Sequence, residues 1–356
     1  MSQAAQIASA VARPIAASRL SFGALLLGLM TLLLLSITLA VMIGPVQAAP
    51  GLVWRVVLHQ VAPGLITPDW EVFQQTIVWA IRLPRVLLGG LVGAGLAVVG
   101  ATMQALVRNP LADPYLLGVS SGASLGAVAV ILLGFSWFGI FSLSSAAFLG
   151  ALIAFGTVYG LAQQGGRLTT SRLILSGVAV SYVFSALTNF LIYNADDGEE
   201  VKSVIFWMLG SLGGARWDYL GLPAMALILG TLYLTLQARS LNALSVGEET
   251  AVTLGVDPSR FRQQIFALTA LLTGTLVAVS GGIGFVGLML PHILRMLVGA
   301  DHRRLLPVAA LTGAIFLIWV DVLARVIVAP QELPIGIITA LLGAPFFIWL
   351  MRRSGR

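Results

Sequence analysis

Long apolar runs alternate with short polar intervals along the chain, and most of the runs match the thickness of a bilayer. The first uncharged run, residues 20 to about 53, exceeds a signal-peptide core. It predicts a retained span over residues 20–43, although Val46-Gln47-Ala48-Ala49 weakly resembles a cleavage site. Residues 45–81 read as a mixed loop with Trp54, Trp70 and Trp79 as interfacial aromatics. A second span follows over residues 86–107. Between Asp113 and Arg167 the uncharged stretch is too long for one helix and suits two, with a turn near residues 134–144. The fifth span covers 173–194. After the acidic loop at 196–200, residues 203–217 form a short or re-entrant helix. The sixth span covers 219–238. Residues 263–294 are again too long for one helix and break at Gly281-Gly282-Ile283-Gly284 into a seventh and an eighth. Residues 305–328 and 334–351 complete ten.

The polar interval RSLNALSVGEETAVTLGVDPSRFR, residues 239–262, carries its own helix signals. Ser245 followed three residues later by Glu248 reads as a capping box. Glu248 and Glu249 occupy the first turn, where the helix dipole favours negative charge. Gly255 is placed to end the helix as a left-handed cap, and Asp257-Pro258 blocks its continuation. The segment is either an ordinary cytoplasmic loop with a helical turn or a docking element for a soluble partner.

Composition sets the class. With 58% hydrophobic and 10% charged residues among 356, the chain reads as an all-α polytopic membrane protein. Residues 1–19 form a cytoplasmic segment and 20–356 a single transmembrane domain. Alternating ten-residue strands are absent, which argues against a membrane barrel. There is no cysteine, so disulfides, thiolate metal sites and thiol nucleophiles are excluded together. Lys202, the sole lysine, lies outside any Gly-x-x-x-x-Gly-Lys context, so the chain has no P-loop. The net charge of +6 reads as topology rather than as nucleic-acid binding. Placing Arg13, Arg19, Arg108, Arg167, Arg172, Arg239, Arg260, Arg262, Arg303, Arg304, Arg352, Arg353 and Arg356 inside puts both termini in the cytoplasm.

Small residues predict tight helix contacts: Gly118, Gly122 and Gly126 on the third span, Gly89 and Gly93 on the second, Gly156 and Gly160 on the fourth. A faint likeness between LAVVGATMQALVRNP and LVAVSGGIGFVGLMLP hints at two inverted halves. On the fifth span Ser181, Ser185 and Asn189 share a helical face near Gly177. That stripe lines a wet pathway or bonds to a neighbouring helix. Asp321 and Arg325 are four apart in the ninth span, where an ion pair is the default and a proton relay the alternative. Arg82 and Arg85 either snorkel at the membrane surface or offer a basic docking point to an acidic partner. His59, His292 and His302 share no helix face, so no metal or haem ligation site is expected.

Several long motifs then occur in order: IRLPR at 81–85, GAGLAVVGATMQALVRNPLADPYLLGVSSGA at 93–123, FWMLGSLGG at 206–214, the capped interval, GFVGLMLPHILR at 284–295 and ELPIGIITALLGAPFFIWL at 332–350. Together they resemble the vitamin B12, haem and iron-siderophore permease family, the membrane subunits of type II ABC importers. The resemblance implies a homodimer in the bacterial inner membrane, ten helices per subunit and a pathway at the dimer axis. It implies two ATPase subunits, which bind ATP and Mg, docked on residues 240–256 around Ser245, Glu248, Glu249, Ala251, Leu254 and Gly255. A periplasmic binding protein would meet Arg82, Arg85 and Arg325. A cytoplasmic gate would use Asn109, Leu111, Thr170 and Ser171, and the fifth span would line the pathway through Gly177, Ser181, Ser185 and Asn189. The expected substrate is a large metal chelate, haem first and a ferric siderophore second, with cobalamin as the alternative. No cofactor, metal or nucleic acid is expected on this chain, and no catalytic set is present. A stand-alone secondary transporter driven by protons through Asp321 is the reading from a different class.

Overall fold

The computed structural model describes residues 19–44, 49–164, 167–168 and 170–354. The expected segment 1–19 lies outside these apart from Arg19, as do Val46, Gln47 and Ala48 of the cleavage-like site. The helices are α1 (Arg19–Met42), α2 (Pro50–Val61), α3 (Val72–Val107), α4 (Val119–Leu133), α5 (Ser142–Ala162), α6 (Thr170–Tyr193) and α7 (Gly198–Met208). They continue as α8 (Gly221–Leu236), α9 (Ala238–Val246), α10 (Glu248–Thr253), α11 (Pro258–Ser280), α12 (Val286–Val298), α13 (His302–Val326) and α14 (Ile335–Ser354). A two-residue antiparallel ladder, β1 (Gln163–Gln164) with β2 (Arg167–Leu168), joins α5 to α6. Among the described residues, seven helices are long and apolar enough to span a bilayer, and three shorter apolar helices accompany them. These coincide with the ten expected segments. Helix is the form such runs must take, because lipid offers no partner to a free amide or carbonyl.

The chain is mostly helical where a loop is expected over 45–81. α2 begins with Pro50, whose missing amide suits a first turn. α3 starts at Val72 rather than near 86, and Thr76–Arg82 within it is a π turn in which the Leu83 amide reaches back to the Val78 carbonyl. Pro84 supplies the reason. It has no amide to offer the Ala80 carbonyl and its ring crowds it, so the ladder widens just ahead. The expected acidic loop is likewise the start of α7. Asp197 caps it, accepting from the Glu199 amide at 2.9 Å, and Glu199 and Glu200 sit in its first turn.

The core is built on α3, α11 and α13. α3 is buried along most of its length, from Leu83 to Leu106. Backbones approach until side chains no longer fit between them. A Cβ on Gly93 would overlap the Gly313 carbonyl of α13, and one on Gly100 would overlap the Gly287 carbonyl of α12. Gly122 and Gly126 meet α5 in the same way, through Gly150 and Ala146. Gly156 and Gly160 correct the expectation for the fourth span: each has open space around it, so neither packs against this chain's own helices.

The break between α11 and α12 falls where the glycines place it. Its backbone groups find partners in neighbouring segments, as irregular backbone inside a membrane protein requires. The Tyr115 hydroxyl donates to the Ile283 carbonyl at 2.9 Å and accepts from the Ile283 amide at 2.9 Å. The Ser211 amide donates to the Ser280 carbonyl at 2.8 Å. Beside the break, the Ile335 and Gly336 amides donate to the Gly210 and Leu209 carbonyls at 2.8 and 3.0 Å. The two stretches with faint sequence likeness differ in form. The first is an unbroken helix up to Val107, whereas the second carries the break.

Gly93→Ala drives a methyl group into backbone on the facing helix and is expected to cost about 1–3 kcal/mol. Gly156→Ala meets open space and is expected to stay within about 0.5 kcal/mol of the parent. Thermal unfolding of the detergent-solubilised protein compares the two. A pH effect follows from Asp113, which precedes Tyr115. Burial pushes its carboxyl up to about 6, with the Tyr115 amide pulling weakly the other way, against about 3.9 in an unfolded chain. Folding penalises the ionised form, so stability is intact below about pH 4 and falls by about 3 kcal/mol as pH rises through 6. Asp113→Asn keeps an acceptor for the Tyr115 amide and is expected to flatten that slope, measured by unfolding at stepped pH.

Candidate functional site

The segment between α8 and α11 is more built than a connector. α9 and α10 are short helices joined at Gly247, and α10 ends in a Schellman turn. The Val256 amide donates to the Ala251 carbonyl and the Gly255 amide to the Val252 carbonyl, both at 2.9 Å, with Gly255 left-handed at φ 78°. Asp257 does more than stop a helix. Its carboxylate caps α11, accepting from the Ser259 amide at 2.9 Å and the Arg260 amide at 3.2 Å. The expected capping box is not formed. Ser245 lies in the last turn of α9, its hydroxyl donates back to the Asn242 carbonyl at 2.7 Å, and Gly247 holds the cap position of α10.

Glu248 is freed for a different task. Its carboxylate accepts from Arg262 Nη2 at 2.8 Å and stands 4.0 Å from Arg108 Nη2. The Arg262 hydrogen bond holds its pKa below the usual carboxylate range, and Arg108 adds a weaker pull. Ala251 is fully buried, so it anchors α10 to the bundle. The surface left open carries Glu249 with Val246, Val252 and Leu254, the last 68% exposed. Apolar side chains left uncovered on a polar segment outside the spans have the character of a protein interface.

A second attachment joins α9 to α13. Asn242 Nδ2 donates to Asp301 Oδ1 at 2.7 Å, and its Oδ1 accepts from the His302 amide at 3.0 Å. Sequence reading missed this junction, and 59 residues separate Asn242 from Asp301. The only available signal was local: Asp301 precedes a helical run as an N-cap, which its bond from the Arg303 amide bears out.

The proposed gate residues fall at both described ends of turns. α3 closes with Arg108 left-handed at φ 54°, costing about 1–2 kcal/mol for a residue with a Cβ. Asn109 then turns the chain, its Oδ1 accepting from the Leu111 amide at 2.9 Å, and Leu111 is exposed. Ser171 is exposed in the first turn of α6, while the side chain of Thr170 lies outside the described residues. The turn after α3 is thus described in detail, and Arg108 at its start brings Glu248 close to it.

On α6, Gly177 is buried, Ser181 is half-buried, and Ser185 and Asn189 are exposed. Ser181 Oγ lies near Gly118 at the start of α4, whereas Ser185 and Asn189 are exposed with Tyr182, Val183 and Phe190 beside them.

At the other end of the bundle, Arg82, Arg85 and Arg325 come together, but as a buried cluster and not as an exposed patch. Arg85 Nε donates to Asp321 Oδ1 at 2.9 Å, and its Nη1 donates to both oxygens of Glu332, at 2.7 and 2.9 Å. Arg325 Nε lies 3.0 Å from Asp321 Oδ2, the pair expected from their spacing. Its Nη groups donate to the Ile43 and Ala40 carbonyls at 3.1 Å each. Arg82 donates to the Val41 and Met42 carbonyls at 2.9 and 3.2 Å. Asp321 therefore has an arginine at each oxygen, and Arg85, 236 positions away, is the one its sequence neighbourhood does not reveal.

Comparison with known proteins adds the lineage. The cobalamin import system permease protein BtuC of Halobacterium salinarum is 48% identical over 278 residues, covering 78% of this chain and 74% of that one. The hemin transport system permease protein HmuU of Yersinia pestis is 46% identical over 293 residues, covering 80% and 87%. A solved structure of an inward-facing metal-chelate type ABC transporter superposes with a TM-score of 0.80 at 34% identity, covering 93% of this chain and 99% of that one. The model of the FecCD transport family matches residues 32–353. The chain belongs to the FecCD transport family.

Proposed function

We propose that this chain is the membrane permease of a type II ABC importer that moves a metal chelate from the periplasm to the cytoplasm by alternating access. The observation that carries the reading is the α9–α10 segment, with its open apolar and acidic surface, rigid end-caps and side-chain ties to the bundle. A separate ATPase, which holds ATP and Mg, docks there around Glu249, Leu254 and Gly255. Ser245, Glu248 and Ala251 shape that surface from behind. Both termini are cytoplasmic.

The permease works as a homodimer. Ser185 and Asn189 support this, since exposed polar groups on a membrane span face a pathway or a second subunit more cheaply than lipid. Ser181 and Gly177 continue the lining, and Asn109, Leu111, Thr170 and Ser171 close its cytoplasmic end. The binding protein docks at the Arg82, Arg85 and Arg325 end. Only Glu332, with its side chain 38% exposed, opens that cluster to solvent, so partner acids must reach the guanidiniums past it. Haem is the first choice of substrate and a ferric siderophore the second. Cobalamin stands beside them, since relatives named for hemin and for cobalamin are similarly close. The proton-driven alternative has less support, because both oxygens of Asp321 are taken up in ion pairs.

The test is ATP-dependent uptake in proteoliposomes holding this chain with its ATPase and binding protein, offered labelled hemin, a ferric siderophore and cobalamin in parallel. Uptake of one chelate is expected, with at least a tenfold loss when residues 248–255 are scrambled in a protein that still folds. Uptake that follows a pH gradient without ATP or partners would reject the importer.

A further inference from the structure

Asn242 has no role in the mechanism so far, yet it ties the docking segment to the start of α13. Asp301 can only accept, which fixes the orientation of the Asn242 amide, with Nδ2 toward the carboxylate. Its Oδ1 then faces the His302 amide at 3.0 Å and the His302 Nδ1 at 2.6 Å, so that ring nitrogen carries the proton. The His302 amide is one of the helix-terminal donors that α13 cannot satisfy itself. His302 is 2% exposed, so the two bonds it makes to Asn242 are partly shielded from water, while the Asn242–Asp301 bond lies at the surface. The hydroxyls of the same helix stay local: Ser240 bonds to Gln237 and Ser245 to the Asn242 carbonyl.

What Asn242 holds is a long lever. α13 runs for 25 residues with Pro307 in its second turn, and from this junction it rises about 28 Å to Asp321 and about 34 Å to Arg325 at 1.5 Å per residue. Midway, Gly313 is seated against Gly93 so closely that a Cβ on either would overlap the other's carbonyl. Asp321 ties the far end of α13 to Arg85 of α3. α3 and α13 are therefore joined at two points and are suited to move together.

We infer that Asn242 is a positioning residue that clamps the ATPase-docking segment to α13, so that displacement of residues 238–256 turns α13 and α3 as one body. Without the clamp, the α8–α9 joint at Gln237 bends and absorbs the stroke. The inference rests on the importer reading above.

The measurement is chelate taken up per ATP hydrolysed, in the reconstituted complex with labelled hemin, cobalamin and ferric siderophore. Asn242→Ala is expected to lower this ratio about tenfold in a complex that still co-purifies with its ATPase. Asn242→Asp keeps an acceptor for the His302 amide but loses the donor to Asp301, and is expected to lower the ratio by a similar factor. An unaltered ratio in Asn242→Ala overturns the clamp. Should Asn242→Ala fail to fold, the chain's lack of cysteine allows Asn242→Cys with Asp301→Cys to be bridged by a short bis-maleimide. Continued uptake after bridging is expected, and loss of uptake on bridging rejects a junction that moves as one body. If the unmodified complex takes up none of the chelates, the importer reading falls and the clamp with it. If it does and only the variants disagree, the clamp alone falls.

Discussion

Close backbone contact between α3 and α13 is the constraint on which the rest depends. Where Gly93 meets Gly313 no side chain separates the helices, so dispersion acts over the full facing surface. In lipid, where apolar burial gives little drive for association, such contact and a few polar bonds must hold the bundle. The pair is flanked by the two features of greatest functional interest. At one end lie the Glu248 and Asn242 attachments, at the other the Arg85–Asp321–Arg325 cluster.

The buried charges are acceptable only because each finds partners. An unpaired guanidinium at this depth is costly, and Arg82, Arg85 and Arg325 instead bond to carboxylates or to main-chain carbonyls of α1 and its C-terminal turn. Pairing makes the cluster a fastening as well as a charge. It holds α1, α3, α13 and the segment before α14 in one arrangement.

Legibility followed the range of each signal. Spans were readable because hydropathy and length act locally, and the break at 281–284 because four residues there include three glycines. The ion pair Asp321–Arg325 was readable because one helix turn joins it. Arg85, Glu332 and Asn242 were not, since their partners lie 59 or more positions away, and neither was Arg262, whose partner Glu248 is 14 positions off, beyond any helical spacing. The capping box failed for a related reason. Ser-x-x-Glu is a pattern of four residues, while the observed break depends on Gly247 and on Arg262 drawing Glu248 away. The loop expected before α3 failed because Trp54, Trp70 and Trp79 read as interfacial aromatics of a mixed loop, whereas α3 begins at Val72 and accommodates Pro84 with a π turn.

The separation between Arg85 and Asp321 has a consequence for biosynthesis. At about 5–20 residues per second, roughly 10–50 s pass between their emergence from the ribosome. During that interval the second span must be held in the membrane with its arginines at the aqueous boundary, where long side chains reach water. Final seating of α3 waits for the ninth span. Chains released before Asp321 emerges leave Arg85 without that carboxylate.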